Sequence, residues 1–128
     1  MDVSPGEKLA RFIFYNRQFS VMNRVVKFGA FIPPSNSDQI SVYRISTLAD
    51  GEVWAIGREY VETEKRRIKA RADFLAQQVY ENDLNVIPDT QPHELHANIT
   101  PFPANKSERQ SIARKLALLS DLVLMPTG

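Results

Sequence analysis

The chain has 128 residues, 43% hydrophobic and 24% charged side chains, and a formal net charge of +1; this fits one domain, residues 1–128, and excludes a disordered chain. It contains no cysteine, which removes disulfides, cysteine nucleophiles and thiolate metal sites and fits a reducing compartment. No apolar run approaches the roughly 20 residues needed to cross a bilayer, and the polar opening MDVSPGEKLA lacks the apolar region of a secretion signal, so a cytoplasmic protein with no membrane partner is expected.

The charge is unevenly spread. Residues 1–45 carry Lys8, Arg11, Arg17, Arg24, Lys27 and Arg44 against Asp2, Glu7 and Asp38, whereas residues 81–104 carry four carboxylates and no Lys or Arg.

In chain order, residues 1–7 read as a flexible terminus with a turn at Ser4-Pro5-Gly6. The aromatic-rich RFIFY, residues 11–15, suggests a strand, with a helix over residues 6–15 as the alternative. VVKFGAFI, residues 25–32, is a second apolar run in which Gly29 hints at a bulge or a close backbone contact. Pro33-Pro34-Ser35-Asn36-Ser37-Asp38 is a loop. ISVYRI, residues 40–45, reads as a strand, with Ile40, Val42 and Arg44 sharing one face. Asp50 can cap a helix running to about Glu62, with Val53, Trp54, Ile56, Tyr60 and Val61 available to bury. Gly57 costs that helix about 1 kcal/mol against alanine unless another element packs closely there.

Propensity favours a helix over residues 65–80, yet Phe74, Leu75, Val79 and Tyr80 make no clean stripe, and DFLAQQVY fits helix or strand. LNVI, residues 84–87, is a short strand closed by Pro88. The alternation of Leu95, Ala97 and Ile99 with His96, Asn98 and Thr100 predicts a strand ended by Pro101. Asn105 with Glu108 reads as a capping box for a helix whose buried face holds Ile112, Leu116 and Leu119. LVLM, residues 122–125, is a terminal strand. The sum is an α+β fold of five or six short strands with two or three helices, around a mixed or mostly antiparallel sheet.

Four constellations can carry chemistry. His93 and His96, with Asp83 or Asp89, could bind a metal only if His93 leaves the strand. No complete ligand set is visible, so no metal and no cofactor is expected. His96 with Asn98 and Thr100 on one strand face suits a general acid-base beside an orienting amide and hydroxyl, or else a polar sheet face exposed to water or covered by polar contacts. Arg11, Phe12, Phe14, Tyr15, Arg17, Phe19, Arg24, Lys27 and Phe28 interleave cations with rings, as nucleic-acid binding requires, or else divide into core and solvated face. Arg44 on an apolar face can join Arg17 and His96 around a phosphate or carboxylate, or form an internal ion pair with Asp73 or Asp89. Lys65 to Arg71 is more simply a solvated face, and no Walker A, GxGxxG or GxSxG motif is present.

AFIPP (30–34), SVYRIS (41–46), EVWAIG (52–57), RAD (71–73) and HANI (96–99) resemble the recurring blocks of a family of small uncharacterised bacterial proteins. The resemblance spans about residues 11 to 124. It implies one intact bacterial domain and brings no activity or site assignment.

The leading expectation is an accessory or regulatory domain that binds an anionic ligand, nucleotide or nucleic acid. Arg17, Lys27 and Arg44 would supply charge, and Tyr15 or Tyr43 stacking. One alternative is a small enzyme acting on a phosphate ester or nucleotide-linked bond, with His96 as general acid-base and Asn98 and Arg44 orienting and stabilising charge. Another is a protein-interaction module, such as a homodimer formed through Trp54 and Tyr60.

Overall fold

Alternation in the strand β1, Lys8–Ile13, sends Leu9 and Ile13 to one side and Ala10 and Phe12 to the other, and both sides are buried in apolar clusters. The computed structural model, which describes residues 2–126, builds the sheet outward from this strand. The other strands are β2 Phe19–Ser20, β3 Val25–Val26, β4 Ile40–Arg44, β5 Ala70–Leu75, β6 Asn85–Pro88, β7 His96–Thr100 and β8 Asp121–Leu124. Six form one sheet in the order β6-β7-β4-β1-β5-β8, and β2 with β3 forms a separate hairpin. Every adjacent pair is antiparallel, so the fold is α+β with an antiparallel rather than a mixed sheet.

Three helices cover the sheet: α1 Asp50–Ile56, α2 Ala76–Tyr80 and α3 Lys106–Leu119. Ala113, Leu116 and Ala117 of α3, Val79 of α2 and Phe31 of the 3-10 turn Phe28–Phe31 pack with Leu9, Ile13, Val42, Phe74 and Ile99 on one side. Val53, Trp54 and Ile56 of α1, with Ile68, cover Ala10, Phe12 and Tyr43 on the other. A two-sided sheet explains why the strands read as near-continuous apolar runs as well as alternating ones.

Local rules set several boundaries. Asn105 Oδ1 accepts from Glu108 N at 3.0 Å, the N-cap bond expected of that residue. Asp50, expected as the cap, is instead the first helical residue with its carboxylate on Arg71. Glu52 carries the start of α1, accepting from Ala49 N–H at 2.9 Å, and a wider π turn, Gly57–Val61, extends this helix and leaves Tyr60 exposed. Leu119, expected on the buried face of α3, is half exposed because the core contacts of the helix run through Ala113, Leu116 and Ala117.

Two expectations are corrected. Residues 65–80, where propensity favoured a helix and DFLAQQVY fitted helix or strand, contain β5 followed by the short α2. Pairing with β1 on one side and β8 on the other supplies ladder bonds that outweigh local helix propensity. The terminus expected to be flexible is docked over residues 2–7. Val3 is buried, the Tyr80 hydroxyl donates to its carbonyl, and the carbonyls of Pro5 and Glu7 accept from Gln77 N–H and Ala76 N–H, each at 2.9 Å. Those are the first amides of α2, which otherwise lack partners. The run at residues 25–32 divides into β3 and the 3-10 turn, and Gly29 in that turn has nothing nearer than Gln18 Cγ at 3.9 Å.

Gly57 is where close packing overrides propensity. A Cβ there would stand 2.7 Å from Ile68 Cδ1 and 2.8 Å from Phe12 Cε1. Its backbone is ordinary right-handed helix, so conformation alone would favour alanine. Gly57→Ala is expected to destabilise the fold by about 1–2 kcal/mol, overpacking outweighing the propensity gain; urea unfolding of the two proteins measures the sign.

Candidate functional site

Arg44 and His96, expected to share a hollow, lie on opposite sides of the sheet. Tyr43 is the register partner of His96, and Arg44, the next residue along β4, points the other way. There its guanidinium grips Glu7 through two bonds of 2.8 Å, Nε to Oε1 and Nη2 to Oε2. The internal ion pair foreseen for Arg44 therefore forms, with Glu7 in place of Asp73 or Asp89. Asp73 instead holds Arg71, and Asp89 Oδ2 accepts from Asn98 Nδ2 at 3.2 Å. The paired guanidinium holds the Glu7 carboxyl below its ordinary value of 4.5, and Glu7 in turn raises Arg44.

The polar face of β7 is covered rather than open to water. His96 and Asn98 are buried. His96 Nδ1 lies 2.9 Å from the Asp89 carbonyl; a carbonyl only accepts, so Nδ1 carries the proton and Nε2 is left free of it in the neutral ring. His93 Nδ1 accepts from Leu95 N–H at 3.0 Å. Both imidazoles edge onto the Tyr43 ring, His96 at 5.3 Å and His93 at 6.2 Å between centroids. Among the described residues no three His, Asp or Glu side chains are grouped to hold a metal ion.

Arg17 and Lys27 are brought together elsewhere. A groove of about 970 Å³ opens between the β2–β3 hairpin, the Phe28–Phe31 turn and α3, lined by Arg17, Arg24, Lys27 and Arg114 and by no carboxylate. Its apolar floor includes Phe28 and Ile32, and the Arg114 guanidinium lies over the Phe28 ring, 4.7 Å from its centroid. The fold positions this wall through main-chain bonds: Lys27 N–H donates to the Gln18 carbonyl at 2.8 Å and Gln18 Nε2 to the Gly29 carbonyl at 3.2 Å. Tyr15 stands beside the groove with Arg17 over its ring at 4.6 Å, whereas Tyr43 and Arg44 take no part in the lining.

Arg24 and Arg114 are groove residues that sequence reading left out of the site. Arg24 stood in the basic, aromatic stretch; Arg114 gave no local signal, because only the docking of α3 brings it to the hairpin. Trp54, proposed as part of an apolar contact surface, is core instead, buried under the Arg71 guanidinium at 4.7 Å. Arg71, 2% exposed, is held by Asp73 and Asp50 at 2.9 and 2.7 Å, a structural network rather than an open site.

The chain matches no protein family, no curated protein and no solved structure. No described helix is long and apolar enough to cross a membrane.

The Glu7–Arg44 pair yields a pH prediction. Because the folded carboxyl titrates below its unfolded value, its contribution is fully present above about pH 4.5 and is lost as pH falls through the lowered pKa. Glu7→Gln is expected to cost about 1–2 kcal/mol at neutral pH. The gap to the parent should close as the buffer is acidified, which denaturant titrations at a series of pH values would record.

Proposed function

We propose that the protein binds an extended anionic ligand, a single-stranded nucleic acid, in the groove between the β2–β3 hairpin and α3. The observation that carries this reading is the lining: four cationic side chains and no carboxylate around one apolar-floored groove. Phosphates attract such a row of charges, and unstacked bases find apolar or aromatic surface below it. Arg17, Arg24, Lys27 and Arg114 have no ion-pair partner among the described residues, so they are not committed to holding the fold.

The backbone of Arg24 adds support. Its φ is +53°, a left-handed conformation that costs a side-chain-bearing residue about 1 kcal/mol. An arginine rather than a glycine at this turn position places a cation at the groove despite that cost.

The nucleic-acid reading is tested by fluorescence anisotropy of a labelled oligonucleotide across a salt series. With four phosphates neutralised, the slope of log affinity against log salt is expected near −2.8. The exposed pair Arg17→Ala with Arg114→Ala should bring it to about −1.4 and weaken binding. Absence of binding at low salt, or a slope unmoved by the double variant, would overturn the reading.

Arg24→Gly separates stability from binding. It is expected to raise stability by about 0.5–1 kcal/mol through relief of the turn and to lower oligonucleotide affinity by removing one phosphate contact. Thermal melts and anisotropy on the same sample check the two signs.

A further inference from the structure

On the side of the sheet away from the groove lies a pocket of about 220 Å³ lined by Arg11, Phe12, Tyr43, Tyr60 and His96 among others. It shares no lining residue with the cationic groove. The polar groups here are unlike those of a packed core. Tyr43 is only 4% exposed, yet no hydrogen bond to its hydroxyl is found among the described residues; burial and the neighbouring Tyr60 push that hydroxyl up. His96, 6% exposed, spends Nδ1 on the Asp89 carbonyl and leaves Nε2 without a partner among the described residues.

Arg11 stands at the same pocket. Its Nε donates to the Ala30 carbonyl at 3.0 Å and its Nη1 to the Ser41 carbonyl at 2.8 Å, while Nη2 makes no hydrogen bond among the described residues. No carboxylate pairs with it there. Burial and the charge of Arg66 pull it down to about 10, so it is still a cation at neutral pH. Arg66 itself lies over the Phe14 ring, 4.2 Å from the centroid, and Phe14 is a further wall of the pocket. The lining thus offers positive charge, two phenol hydroxyls, one imidazole and flat apolar walls, with no negative group. Asp89 approaches His96 only on its Nδ1 side, at 3.9 Å.

We propose that this pocket binds a small carboxylic acid with a flat apolar body, a ligand of the size of benzoate. The carboxylate is met by Arg11 and the Tyr43 hydroxyl, and the body lies among Phe12, Phe14 and Tyr60. With two of its donors already held by backbone carbonyls, the guanidinium can orient a planar monoanion but cannot surround a phosphate. The small volume and apolar walls select against a polyanion.

The test is an amide NMR titration of the full chain with benzoate, with benzamide as its neutral isostere, and with inorganic phosphate. Benzoate is expected to shift the Tyr43, Tyr60 and His96 signals saturably, benzamide to bind at least about tenfold more weakly, and phosphate to leave those signals in place. Arg11→Ala risks the fold, because that side chain bridges two carbonyls. Tyr43→Phe removes only an unpartnered hydroxyl; it should keep the folded spectrum and weaken benzoate about tenfold. The groove variant Arg17→Ala with Arg114→Ala should leave benzoate binding intact, which separates this site from the nucleic-acid reading. Lack of a saturable shift, equal binding of benzamide or phosphate, shifts centred on the groove, or unchanged affinity in Tyr43→Phe would each overturn the proposal.

Discussion

Where β1 parts from β4, the fold solves a hydrogen-bonding problem with a charge. β1 pairs with β5 over six register positions but with β4 over only two, Leu9 with Arg44 and Ala10 with Tyr43. Beyond Ala10 the ladder with β4 opens, and the Ser41 carbonyl has no partner on β1. Arg11 closes the gap, bonding both that carbonyl and the Ala30 carbonyl of the turn above it. A central sheet position thereby acquires a guanidinium without a carboxylate, and the two sides of the molecule are tied through one side chain.

The remaining charges follow from how the carboxylates are spent. Glu7 is taken by Arg44, Asp50 and Asp73 by Arg71, and Glu62 by Arg67. Arg109 is engaged differently, donating to the carbonyls of Pro103 and Ser37 at 2.6 and 2.8 Å and so fastening the proline loop to the start of α3. Four cations without an ion pair among the described residues, Arg17, Arg24, Lys27 and Arg114, gather on the hairpin and on α3 beside it. A chain of formal charge +1 can thus carry a strongly positive groove, because no carboxylate lines it. Net charge is a poor guide to a local field when the two signs sit on different parts of the surface.

Legibility in the sequence tracked the range of the interactions involved. The strand at His96–Thr100, the cap at Asn105 and the helix beginning at Asp50 were readable because each rests on a pattern or bond within about four residues. The close approach at Gly57 was foreseen as a condition, and Phe12 with Ile68 supplies it. Residues 65–80 stayed open between helix and strand because two distant strands recruit β5. Arg44 misled because its partner, Glu7, sits 37 positions away in a terminus that looked loose. The apolar face around Arg44 was visible, but neither its partner nor its separation from His96 could be read from one strand.

The same reasoning bears on which polar residues carry information about ligands. Arg44 looked unusual in sequence, being set among apolar neighbours, and Arg71 was read as part of a solvated face; the structure pairs both with carboxylates, leaving only Nη1 of Arg71 buried without a hydrogen-bond partner among the described residues. Ion pairs of this kind account for both arginines within the fold. Arg11 is equally embedded among apolar residues, and there the explanation is incomplete: its two bonds go to neutral carbonyls, which hold its position without neutralising it. A partly buried cation compensated only by dipoles keeps a standing attraction for an anion of the right shape. That residual charge, rather than the oddity of an arginine in a strand, distinguishes a residue poised for a ligand from one that completes the scaffold.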